Sequence, residues 1–136
     1  AGGHLTAEMM ATNWSQIDAQ IANDYIKGGV PISGIFDLEP LVTTSINEKT
    51  QFSVEAAKQC SPLFRETVST GPMILAVGGE ESTGFHEQSD RLQAKWGPKL
   101  DSLIRLNLEG AHHLGAVQEL AKPGSPLLIE ISKLIA

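Results

Sequence analysis

The chain has 136 residues, 41% of them hydrophobic and 19% charged, which predicts one soluble globular domain rather than two. Its net charge of −6, with 10 basic residues against 16 acidic ones, excludes a nucleic-acid or anionic-membrane surface, because phosphate binding needs clustered cations. A single cysteine, Cys60, excludes an intrachain disulfide and a cysteine-built zinc site; it is expected as a small buried hydrophobe rather than a reactive thiol. Apolar runs such as residues 73–77 fall far short of the roughly 20 residues of a membrane helix, and no charged-then-apolar leader opens the chain. The expectation is no membrane partner, no cofactor and, by default, a cytoplasmic location.

In chain order, Leu5, Met9 and Met10 mark an opening helix. Residues 30–36 form a short apolar run entered from Gly28-Gly29 and containing Gly34, which suits a buried strand. A loop with short helices follows. Residues 73–77 make a second strand, apolar on both faces and bounded by Gly71-Pro72 and Gly78-Gly79, the pattern of a covered parallel sheet. Phe85, Leu92 and Trp96 then recur at helical spacing and predict a crossover helix with one apolar stripe on the sheet. Residues 102–108 alternate Ile104, Leu106 and Leu108 with Leu103, Arg105 and Asn107, so this third strand belongs nearer an edge. Leu114, Val117 and Leu120 mark a further helix stopped by Pro123-Gly124. Ser125 caps a last one, with Pro126 in its first turn.

Alternating strands and helices imply a right-handed, doubly wound, mostly parallel sheet. Three strands are too few for that architecture to stand alone. Residues 1–136 are therefore expected to be the C-terminal half of one domain, neither stably folded nor active by itself, with the missing N-terminal half as its partner.

The opening Ala1-Gly2-Gly3-His4-Leu5-Thr6-Ala7 runs straight into the first helix, and paired glycines there permit a sharp turn. A nucleophile elbow uses such a turn to project a serine from a sheet, although glycine-rich helix starts also serve phosphate binding or packing. Ala1 and Gly2 fit the two positions after that serine, which is not in the sequence. Further phrases follow: Pro31-Ile32-Ser33-Gly34-Ile35-Phe36-Asp37-Leu38-Glu39-Pro40-Leu41, Thr44-Ser45-Ile46-Asn47-Glu48-Lys49, Ser61-Pro62, Val77-Gly78-Gly79-Glu80-Glu81-Ser82, Phe85-His86-Glu87-Gln88-Ser89 and Gly110-Ala111-His112-His113. In this order and spacing, the chain resembles the C-terminal half of arylformamidase (kynurenine formamidase)-like α/β hydrolases, relatives of the hormone-sensitive-lipase-like esterases.

That resemblance implies an α/β-hydrolase fold, of which the chain holds the last three strands, and a Ser, Asp or Glu, His triad in that order. Glu81, followed by Ser82 and Phe85, matches the family's acid, where the family usually has Asp. Glu80 and Asp37 remain alternatives. His113 matches the base, with His112 as its alternative. The N–H of Ala1 matches one oxyanion-hole donor. His4 is expected to pack or hydrogen-bond locally, and His86 to be a solvated helix-face residue. Asn47, Glu48 and Phe52 stand in a segment that either covers an acyl pocket or caps helices.

The implied activity is serine hydrolysis of a small ester or aryl formamide through an acyl-serine intermediate, with N-formylkynurenine the first substrate and short acyl esters the second. The rival reading is a non-catalytic hydrolase-fold binding protein that lacks the serine. The residue before Ala1 distinguishes the two.

Overall fold

Met73–Gly78 forms β1, buried along its whole length, and Leu103–Leu108 forms β2. In the computed structural model, which describes residues 1–135, they pair as a two-stranded parallel sheet with Met73 opposite Leu103 and Gly78 opposite Leu108. The helices in chain order are α1 (Gly2–Ala11), α2 (Trp14–Ile17), α3 (Asn47–Thr50), α4 (Val54–Gln59), α5 (Thr83–Trp96), α6 (His113–Gln118) and α7 (Pro126–Ile135). Side chains of β1 alternate between two cores. Met73 and Leu75 pack with Met10, Phe36, Leu92 and Trp96, whereas Ile74 and Ala76 pack with Leu108, Ala116 and Leu127. Cover on both faces is why β1 contains no polar residue. β2 is only partly buried until Leu108, as an edge position predicts.

The third strand expected over residues 30–36 does not form as a continuous element. Gly29 bridges Met73 and Ile32 bridges Ala76, both parallel and in one register, but the ladder between them is broken. Its bonds run Gly29 N–H to Pro72 O, Ile74 N–H to Gly29 O, Ala76 N–H to Pro31 O and Ser33 N–H to Ala76 O. The missing rung is the one Pro31 would donate to Ile74 O, and proline has no N–H. Ser33 then takes a positive φ of 48° and ends the extended run.

Glycine allows α1 to start against this segment. A Cβ on Gly3 would stand 2.6 Å from Ile32 O and 2.8 Å from the Cα of Gly34, so the two backbones touch. Gly2 has nothing within 4 Å of such a position. The packing glycine is therefore Gly3.

Between residues 37 and 72 two side chains, Asn47 and Ser61, add to the backbone bonds of short helices. Asn47 donates to Val42 O and Phe52 O and accepts from Phe52 N–H and the Thr50 hydroxyl, folding residues 42–52 around one amide. Ser61, fully buried, donates to Ala57 O and accepts from Leu38 N–H. Ser61 takes the place one turn after Ala57 on the inward face of α4. Cys60, expected inside, is instead exposed at the end of that helix.

Ser125 caps α7 by accepting from Leu128 N–H, as expected. The stripe of α6 is not inward: Gly115 and Ala116 are buried, while Leu114, Val117 and Leu120 are exposed. No helix among the described residues is long and apolar enough to cross a membrane.

Candidate active site

Two turns at the same end of the sheet build the site. The turn after β1 carries Glu81, and the turn after β2 leads into α6, whose first residue is His113. Two backbone bonds fasten them: Gly79 N–H donates to Leu108 O at 2.8 Å and Glu80 N–H to Ala111 O at 3.0 Å. Gly78 makes this possible, because a Cβ there would lie 2.3 Å from Ala111 O.

Across this junction His113 Nδ1 stands 2.7 Å from Glu81 Oε2. The Glu81 side chain is 1% exposed and that of His113 51% exposed. A buried carboxylate thus holds an imidazole whose other nitrogen, Nε2, is left for a reacting group. In the neutral ring Nδ1–H is the donor to the carboxylate. Glu81 Oε1 accepts from Gly78 N–H at 2.8 Å and from the Ser33 hydroxyl. Burial opposes the charge of Glu81, but the bonds from Ser33, His113 and Gly78 outweigh it and hold its carboxyl below the ordinary value.

The other carboxylates proposed from the sequence lie elsewhere. Asp37 is buried, but its Oδ2 faces Arg91 Nη1 at 2.7 Å and its Oδ1 accepts from Glu39 N–H. Gln88 clamps the backbone of Asp37 from both sides. Glu80 is exposed. His112 is exposed too, and its Nδ1 accepts from Gly115 N–H, which caps α6. His4 Nδ1 lies 2.7 Å from Ile35 O, a tie to a distant segment rather than a local one. His86 is half-buried, with Arg105 donating to its Nδ1, rather than freely solvated.

A cavity of about 350 Å³ opens beside His113, lined by Ala1, His4, Ser33, Leu41, Phe52 and Phe85 among others. The Phe85 ring lies 5.0 Å from that of His113, so it faces the site rather than completing the inward stripe of Leu92 and Trp96. Ala1 sits on the rim with His113, next to the start of α1. Thr50 and Phe52, both bonded to Asn47, line this cavity; Asn47 and Glu48 are not among its lining residues. Ser33, which binds Glu81 and lines this cavity, is the residue of the candidate site that sequence reasoning passed over. Its signal was the Ser33-Gly34 pair interrupting the apolar run of residues 30–36, a turn mark that ends the extended stretch at a hydroxyl. No group of three metal-ligating side chains occurs among the described residues.

The chain is similar to kynurenine formamidases. It is 36% identical over 95 residues to the enzyme of Danio rerio and 34% identical over 95 residues to that of Salmo salar, in each case over 66% of this chain and 31% of the relative. It thus spans about a third of the curated relatives it matches. A crystal structure of a candidate thioesterase from Silicibacter sp. TM1040 superposes with a TM-score of 0.80 at 32% identity, covering 97% of this chain and 47% of that one. No family model matches the chain. These likenesses point to a hydrolase.

Proposed function

We propose that this chain is the C-terminal half of an α/β-hydrolase domain in a serine hydrolase, with His113 as general base, Glu81 as its orienting acid and Ala1 N–H as an oxyanion donor. The nucleophilic serine stands directly before Ala1 in the full-length protein. The observation that carries the reading is the 2.7 Å contact of His113 Nδ1 with the buried Glu81, at the rim that Ala1 shares. Glu81 fixes the tautomer that leaves Nε2 free to take the serine proton, and stabilises the imidazolium that forms. The serine oxygen adds to the carbonyl, and the oxyanion gathers against Ala1 N–H and a second donor from the other half. His113 returns the proton to the leaving group, and water, activated by the same imidazole, then releases the acid.

An aryl formamide, N-formylkynurenine first, is the substrate class the curated relatives favour. Short acyl esters come second, and the solved neighbour's name favours a thioester, which the same acyl-serine chemistry accepts. The unpaired outer edge of residues 29–33 and the exposed Leu5, Met9, Leu114 and Val117 support a covering partner in the rest of the domain. The test is to treat the full-length protein with p-nitrophenyl acetate and a fluorophosphonate probe. An acyl burst and a single label on the serine before Ala1 are expected; neither burst nor label overturns the assignment.

A further inference from the structure

A second apolar cavity adjoins the one that His113 lines. It measures about 240 Å³ and includes Pro40, Ile46, Ser82 and Gln88 in its wall. Three residues, Ile35, Leu41 and Phe85, border both cavities, whereas His113 and Ala1 border only the first. Phe85 is the member of this shared wall that touches the site, its ring 5.0 Å from the imidazole of His113. It stands in the first turn of α5, whose backbone is anchored by the buried Leu92 and Trp96. The carbonyl of Ile35 is tied to His4, which fixes that side of the partition.

We propose that Phe85 is a specificity-determining residue, a partition that confines the substrate's apolar group to the first cavity and closes the second to it. The inference rests on the hydrolase reading above and adds to it an upper size limit. Ile35, Leu41 and the Phe85 ring stand between a group held in the first cavity and the second, and Phe85 is the one of the three that lies against His113. Shortening Phe85 joins the two apolar cavities into one longer groove, and each methylene of a longer alkyl or aryl chain buried there favours the longer substrate.

The experiment uses the full-length protein and two substrate series, p-nitrophenyl esters from acetate to octanoate and alkyl acetates from methyl to octyl. Phe85→Ala is expected to raise the octanoate-to-acetate ratio of kcat/KM, or the matching ratio in the alkyl series, on the order of ten-fold or more. Phe85→Leu, which keeps more of the packing against His113, shifts the same ratio in the same direction by less. Adding Ile46→Trp to Phe85→Ala refills the second cavity from its far wall and reverses the gain. Ratios unchanged in both series for both Phe85 variants, with an active parent, overturn the partition and leave the hydrolase reading intact. A parent that hydrolyses no ester and takes no fluorophosphonate removes the hydrolase reading, and the partition with it.

Discussion

Ser33 donates its hydroxyl to the oxygen of Glu81 that His113 does not use. Ser33 is 3% exposed and sits at a positive φ of 48°, a backbone region that costs an ordinary residue about 1–2 kcal/mol. The strained turn and the hydrogen bond are two sides of one arrangement, in which the end of the 29–33 segment reaches over to hold the acid.

Removing that hydroxyl has a pH-dependent signature. Glu81 is held below its ordinary value, so its interactions contribute stability above the usual glutamate range, about pH 4.3, and lose it as pH falls through the depressed value. Ser33→Ala is therefore expected to destabilise the full-length protein by about 1.5–3 kcal/mol near pH 7, with the penalty shrinking toward pH 3. Denaturant titrations at both pH values check this; an equal penalty at both rules out the charge-coupled role. Ser33→Gly, which relieves the backbone, should stand about 1 kcal/mol above Ser33→Ala.

Glu81→Gln keeps the size of the side chain but presents an amide where the imidazole needs a carboxylate. Loss of kcat on the order of 10⁴-fold is expected, with little change in KM. His113→Ala should fall by at least as much. Steady-state assays on p-nitrophenyl acetate decide it, and a Glu81→Gln enzyme within ten-fold of the parent would sink the assignment.

The side chain of Asn47 ties Val42, Thr50 and Phe52 to one amide. Asn47→Ala removes both of its donated and both of its accepted bonds, and should raise KM several-fold while leaving kcat closer to the parent. Asn47→Asp retains the acceptors for Phe52 N–H and Thr50 and should fall between. Hydrogen exchange confined to residues 42–52 would confirm that the loop has loosened. Unchanged exchange there would show that the amide is dispensable.

Gly3→Ala places a methyl group 2.6 Å from Ile32 O, and backbone is the only thing that can give way. A loss of about 1–3 kcal/mol is expected. Gly2→Ala, with open space around it, is the control and should lose far less.

The 136-residue chain by itself is expected to show no cooperative melt, given the open outer edge of residues 29–33 and the exposed apolar side chains of α1 and α6. Calorimetry of the isolated polypeptide measures this directly. A sharp two-state transition would refute it.

Much of this was legible beforehand because it depends on local pattern. An unbroken apolar run announces a doubly covered strand, and 73–78 is one; Ser125-Pro126 announces a helix start, and α7 begins there. The pairing of Glu81 with His113 was reachable through the order of motifs. Other features depended on tertiary facts that no local pattern carries. Residues 30–36 read as a strand by apolarity, yet the missing donor of Pro31 matters only once its place in the ladder is known. Cys60 is exposed because Ser61, one residue on, fills the inward place. Phe85 shares helical spacing with Leu92 and Trp96, but at the first turn of α5 the sheet has ended and the ring meets His113 instead.

The joint between the two turns has a consequence for how such a site diversifies. Gly79 and Glu80 grip Leu108 and Ala111 through main-chain atoms, and the positions committed to glycine are Gly78 and Gly79, crowded by backbone, and Gly110, at a φ of 69°. The exposed side chains of Glu80 and Glu109 therefore hang outside the joint, free to be exchanged for other sizes and charges without shifting the acid relative to the base. Descendants of this sequence can change the charge around the joint, one residue at a time, while the pairing of Glu81 with His113 is inherited intact.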